Sequence, residues 1–76
     1  MNNLIKELGL LISKERKKNN LTKVKLASLT GIHRNTISMM EKGQADFQIS
    51  KYLIIFKCLK TNSSEIASLL KIYLST

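Results

Sequence analysis

The sequence predicts an all-α fold, five short helices in one small domain of 76 residues, and three observations predict it. Apolar residues recur three and four positions apart, as on one face of a helix, and no segment alternates apolar with polar residues as a half-buried strand does. The chain has no Pro and three Gly, too few turn-formers for a succession of tight β-turns. Short polar or Gly-containing breaks separate the periodic segments, and these breaks carry residues that cap helices.

Asn2 or Asn3 caps a first helix whose apolar face is Leu4, Leu8, Leu11 and Ile12. It runs on through Lys14 to Lys18 and stops at Asn19-Asn20, because Asn tolerates the left-handed backbone that ends helices. Thr22 caps a second helix, Lys23 to Leu29, ended by Gly31. His33 holds the next cap position, and a third helix runs from Arg34 to Lys42 with Gly43 as its stop. Its inward residues are Ile37 and Met40, backed by Ile32. After the polar loop from Gln44 to Gln48, a fourth helix is predicted over residues 49–59. It carries Ile49, Tyr52, Leu53, Phe56 and Leu59 on one stripe, with Ile54, Ile55 and Cys58 beside it. Asn62 and Glu65 are spaced as a capping box, in which the Glu reaches back to the backbone N–H of the cap. They open a fifth helix over residues 63–74, with Ile66, Leu69, Leu70, Tyr73 and Leu74 on one stripe.

Composition narrows the function. Hydrophobic residues are 43% of the chain, enough for a core but in a domain too small for an enzyme with a deep cleft and a lid. A single cysteine, Cys58, forms no internal disulfide, and one histidine beside it cannot build a zinc site. No apolar run is long enough to span a bilayer and no secretory signal is evident, so the expectation is a cytoplasmic protein without cofactor or metal. There is no carboxylate pair, no Cys/His couple at readable spacing and no phosphate-cradling loop, so no enzymatic activity is expected.

Charge says more. Thirteen Lys and Arg against five Asp and Glu give +8, and eight of those cations lie between Lys14 and Lys42, opposed there only by Glu15 and Glu41. A concentrated basic middle points to a polyanion, nucleic acid first and an anionic membrane surface second. Basic composition also drifts upward in AT-rich coding sequence, so the placement of the charges has to decide. Lys23 and Lys25 fall in the first turn of the second helix and Arg34 opens the third, where the helix dipole favours acids by about 0.3–1 kcal/mol each. Glu41 sits at a C-terminal end, where a cation would be favoured. Cations at two successive N-termini suit a surface that meets an anion, and Glu41 suits a cation elsewhere in the fold. The clustering around a motif, and not along one amphipathic stripe, disfavours a membrane-surface protein.

Two short helices joined by a tight Gly-containing turn, the second basic at its start, form a helix-turn-helix pattern. Over Leu21 to Gly43 the chain carries Leu21, Thr22, Leu26, Ala27, Gly31, Ile32, Arg34, Thr36, Ile37, Ser38, Glu41, Lys42 and Gly43 in register. In these positions it resembles the Cro/repressor-type (XRE-type) helix-turn-helix family, and with Leu8-Gly9 and the fourth-helix pattern the resemblance covers about residues 4–70. It implies a five-helix, lambda-repressor-like DNA-binding domain over residues 1–76, with the motif at 22–42 and the helices at 49–59 and 63–74 serving core and dimerisation. Physical reasons stand beside the matches. Ala27 must be small where the two helices cross, since Ala27→Leu would overpack the crossing by about 1–3 kcal/mol. Gly31 permits the positive φ of the turn.

The resemblance also assigns roles. Arg16 would pair with Glu41, the alternative being two unrelated surface charges. The third helix would enter the major groove, with Arg34, Asn35 and, one turn on, Ser38 and Met39 against base edges. Arg presents a fork that fits guanine O6 and N7, and Asn pairs with adenine N6 and N7. Met39 offers only apolar contact, as to a thymine methyl, or else fills an exposed gap. Phosphate contacts would come from Thr22 and Lys23 at the start of the second helix and from Lys42 and Gln44 beyond the third. Family members often carry Gln where this chain has Lys23, which makes more of its binding salt-sensitive. His33 has either a capping role or a phosphate or base contact. The apolar surface around Ile54, Cys58, Leu70, Tyr73 and Leu74 reads as a dimer interface. Phe56 stands where the family usually has Ala, and Lys60 where it usually has Gly.

The function expected is a sequence-specific regulator of transcription on double-stranded DNA, a homodimeric repressor of a pseudo-palindromic operator, of the phage or plasmid repressor or restriction–modification controller type. No ligand-sensing second domain is expected, which leaves control to concentration, autoregulation or a partner protein such as RNA polymerase or a toxin. The competing reading is an antitoxin-like protein-interaction subunit that clamps a partner and autoregulates its operon.

Overall fold

The computed structural model describes residues 3–74, and over them the secondary structure is entirely helical, with five helices joined by short loops and no strand. They are α1 (Asn3–Lys18), α2 (Lys23–Thr30), α3 (Arg34–Lys42), α4 (Ile49–Leu59) and α5 (Ser63–Leu74). Caps explain most of the boundaries. Asn3 is the first residue of α1, while Asn2, the other expected cap, lies outside the described residues. α1 ends where Asn20 turns left-handed at φ 58°, and the Asn19 amide donates to the carbonyl oxygens of Glu15 at 2.7 Å and Leu59 at 3.4 Å, tying the ends of α1 and α4 together. Thr22 Oγ1 accepts from the Lys25 N–H at 3.0 Å, satisfying a donor at the start of α2 that has no helical partner. α2 is one residue longer than its pattern predicts, through Thr30, whose hydroxyl donates to the Leu26 carbonyl oxygen at 2.8 Å.

The core joins α1, α2, α3 and α4 around Leu8, Ile12, Leu26, Ile37, Met40, Tyr52, Ile55, Phe56 and Leu59. α1 packs most extensively on α3, and the contact is close because of Gly9. A Cβ there would collide with the carbonyl oxygen of Met40 and lie 2.9 Å from that of Glu41, so backbone meets backbone at the crossing. Ile5, absent from the predicted apolar face of α1, is buried, while Leu4 and Leu11 are only partly so.

Two expectations are corrected. The buried face of α4 is Tyr52, Ile55, Phe56 and Leu59, whereas Ile49 and Leu53 of the predicted stripe stand 58% and 53% exposed. α4 is apolar nearly all round, so periodicity alone could not choose its inward face. The Asn62–Glu65 capping box does not close: Asn62 Oδ1 accepts from the Ser64 N–H at 2.9 Å, but the Glu65 carboxylate is turned to Lys14 Nζ at 3.3 Å on α1. α5 packs on α1 through this end, with Ile66 and Leu69 against the core. No described helix is long and apolar enough to cross a membrane.

Candidate nucleic-acid interface

The turn between α2 and α3 is built from short-range bonds. Gly31 takes φ 75° and its N–H donates to the Ala27 carbonyl oxygen at 2.9 Å. The Thr30 hydroxyl oxygen accepts from the Ile32 N–H at 3.2 Å, and Ile32 is buried behind the turn. His33 Nδ1 then accepts from the Asn35 N–H at 3.0 Å and caps α3. With Nδ1 used as acceptor, the neutral ring carries its proton on Nε2. α3 closes at Gly43, φ 65°.

With Ile37 and Met40 fully buried, the opposite side of α3 is fixed outward. Arg34 and Asn35 are exposed at its first turn, Ser38 is half-buried one turn on, and Met39 is 39% exposed. The four predicted base-reading residues therefore share one surface. Thr22 is exposed at the start of α2, and Lys23 leans across the motif so that its ammonium donates to Ser38 Oγ at 3.4 Å. Lys42 and Gln44 are exposed beyond the far end of α3, where the Gln44 N–H donates to the Met39 carbonyl oxygen at 3.1 Å. Among the described residues no carboxylate pairs with Lys23, Lys25, Arg34 or Lys42; the ion pairs are Lys14–Glu65, Arg16–Glu41 and Lys18–Glu15. The motif thus presents uncompensated cations around α3, the charge balance that attracts a phosphate backbone.

Behind that surface Arg16 acts as a clamp. Its Nε donates to Glu41 Oε2 at 2.7 Å and Nη2 to Oε1 at 3.1 Å, while Nη1 donates to the Leu21 carbonyl oxygen at 2.8 Å. The two side chains are 11% and 6% exposed, so the forked pair is nearly dry. One guanidinium therefore ties the last turn of α3 to the segment leading into α2, and Glu41, disfavoured by its own helix dipole, has its cation.

The Lys23–Ser38 contact and the role of Gly9 are absent from the sequence reading. A glycine inside a helical pattern is itself a signal of close backbone approach, and Gly9 carried it; nothing local marks a lysine and a serine fifteen residues apart as neighbours. The predicted interface residues are spread over two helices. Ile54 is 46% exposed and Cys58 half-buried on α4; on α5 Leu70 is half-buried and Leu74 is 85% exposed, while the side chain of Tyr73 lies outside the described residues.

A sequence model of the helix-turn-helix family matches residues 12–72, which takes in all of α2, α3 and α4 and most of α5. No curated protein and no solved structure matched the chain. With the motif, its turn and the outward basic face of α3 in place, the chain belongs to the Cro/repressor-type (XRE-type) helix-turn-helix family and is a DNA-binding transcriptional regulator.

Proposed function

We propose that the protein is a homodimeric repressor that binds a pseudo-palindromic operator. The carrying observation is the start of α3, where Arg34 and Asn35 stand exposed and no carboxylate among the described residues pairs with the arginine. In this reading Arg34, Asn35, Ser38 and Met39 face base edges in the major groove, and Thr22, Lys23, His33, Lys42 and Gln44 hold the sugar–phosphate backbone. The motif at 22–42 and the helices α4 and α5 work as one unit, and Ile54, Cys58, Leu70, Tyr73 and Leu74 form the surface that meets a second copy. The exposure of Ile54 on α4 and Leu74 on α5 supports that surface, because it leaves large apolar side chains on both helices uncovered. An antitoxin-like subunit would use the same surface for a different protein.

Sedimentation at micromolar concentration, with and without a selected duplex, tests the proposal. Two chains per duplex and a symmetric dimer in isolation are expected. A chain that stays monomeric on DNA contradicts the dimer. A protein that self-aggregates until a different protein is supplied supports the antitoxin-like reading instead.

A further inference from the structure

We infer that Lys23 is a specificity-determining residue: together with Ser38 it selects a guanine in the major groove, beyond any phosphate it neutralises. The inference rests on the reading of α3 as the base-reading helix. Lys23 opens α2, where the dipole opposes a cation, yet its ammonium is directed across the motif to Ser38 Oγ at 3.4 Å. It is half-buried where its neighbour Lys25 is exposed.

The chemistry of the pair is one-sided. A lysine ammonium has three N–H donors and no acceptor; a serine hydroxyl has one donor and two acceptor lone pairs. Lys23 occupies one of the two lone pairs of Ser38, which keeps its proton to donate. A helical Ser or Thr often spends that proton on the carbonyl four residues back, as Thr30 does on Leu26 at 2.8 Å. Ser38 makes no such bond among the described residues, and its proton remains free for the groove. The remaining ammonium N–H groups lie beside it. The pair is thus a cluster rich in donors, with one lone pair on Ser38 Oγ left to accept, one helical turn from Arg34 on the same outward surface. Guanine presents O6 and N7, two adjacent acceptors, on its major-groove edge and so matches a cluster of donors; adenine and cytosine each put an amino donor there, which faces the Lys23 ammonium and finds at most the one remaining lone pair of Ser38. Lys23 is a positioning residue in that it fixes what Ser38 can offer, and a direct donor in its own right.

Binding of the wild type, Lys23→Met, Ser38→Ala and the double variant should be measured on duplexes in which each base pair of the half-site is varied in turn. Lys23→Met keeps the aliphatic stem, and Lys23→Gln, which keeps polarity, serves as a second variant. The expected result is that Lys23→Met and Ser38→Ala both lose about tenfold of the preference for guanine at one and the same position, and that the double variant loses little more than either. Lys23→Met should also weaken binding to every duplex. Uniform weakening by Lys23→Met and Lys23→Gln with the preference intact would overturn the inference and leave a phosphate contact. Loss at a position different from that of Ser38→Ala would overturn the coupling. A wild type that binds no duplex, or all duplexes equally, would overturn the base-reading assignment of α3 and this inference with it.

Discussion

Lys60 and Tyr52 show how single residues carry strain and charge in this fold. Lys60 ends α4 in the left-handed conformation at φ 55°, which a side chain with a Cβ occupies at a cost that glycine avoids. Lys60→Gly should therefore raise stability by about 0.5–1 kcal/mol, read as a higher urea midpoint with an unchanged slope. Tyr52 is 2% exposed and its hydroxyl has no hydrogen-bond partner among the described residues. Burial raises its pKa above the ordinary 10.0; the nearby Phe47 backbone N–H favours the phenolate without making a bond of good geometry, and the Asp46 carboxylate adds to the rise. The phenol thus keeps its proton in the folded state at a pH where the unfolded chain has lost it. The unfolded state then binds fewer protons, so this contribution is fully present below pH 10.0 and fades as pH rises past it. Tyr52→Phe should flatten the alkaline loss of stability relative to wild type, and at neutral pH it should change stability by less than about 1 kcal/mol, since no hydrogen bond is removed. Denaturant titrations of both proteins between neutral pH and pH 11 or so would show it.

Helix ends were more legible than helix faces. The boundaries of α3 and α4 follow from punctuation that the sequence carries locally: His33 and Gly43 bracket the one, and the polar loop before Ile49 opens the other. The outward surface of α3 was legible too, because Ile37 and Met40 fix its inward side. The rotation of α4 was not, since Ile49, Leu53, Ile54 and Ile55 satisfy any face and only packing against α1 and α2 selects Ile55. Glu65 left its local partner for Lys14, fifty-one positions away, a choice no window of sequence contains. Within the site, Arg34 and Asn35 could be placed by register, but the approach of Lys23 to Ser38 depends on the angle at which α2 crosses α3. α1 bears on that angle through Arg16, which joins Glu41 to the Leu21 carbonyl oxygen, and through the close approach of Gly9 to the backbone of Met40 and Glu41. Gly9→Ala should force α1 away from the carbonyls of Met40 and Glu41 and destabilise the fold by about 1–3 kcal/mol. It should also weaken duplex binding without touching any residue of the outward surface. Thermal unfolding and a binding isotherm on the same variant would check both effects; an unchanged melting temperature would show that α1 does not set the position of α3.

At the level of the molecule, the distribution of charge matters more than its sum of +8. Glu41 is drawn inward to Arg16, Glu65 pairs with Lys14 on the surface and Glu15 is buried beside Lys18, so three of the five acids are spent away from the outward surface of α3. Lys23, Lys25, Arg34 and Lys42 are left to act together on a polyanion, and binding should weaken steeply as salt rises. Sequence preference is a separate quantity, since it comes from the few side chains that reach base edges. Selection of bound duplexes from a random pool, by the wild type and by Arg34→Ala in parallel, therefore tests the central claim most directly. The wild type should enrich an inverted repeat with half-sites about 34 Å apart, one helical turn, and Arg34→Ala should lose its preference at one base pair of each half-site while keeping the others. An unenriched pool from the wild type, or the same preference from both proteins, would contradict the account of α3 as the element that reads DNA.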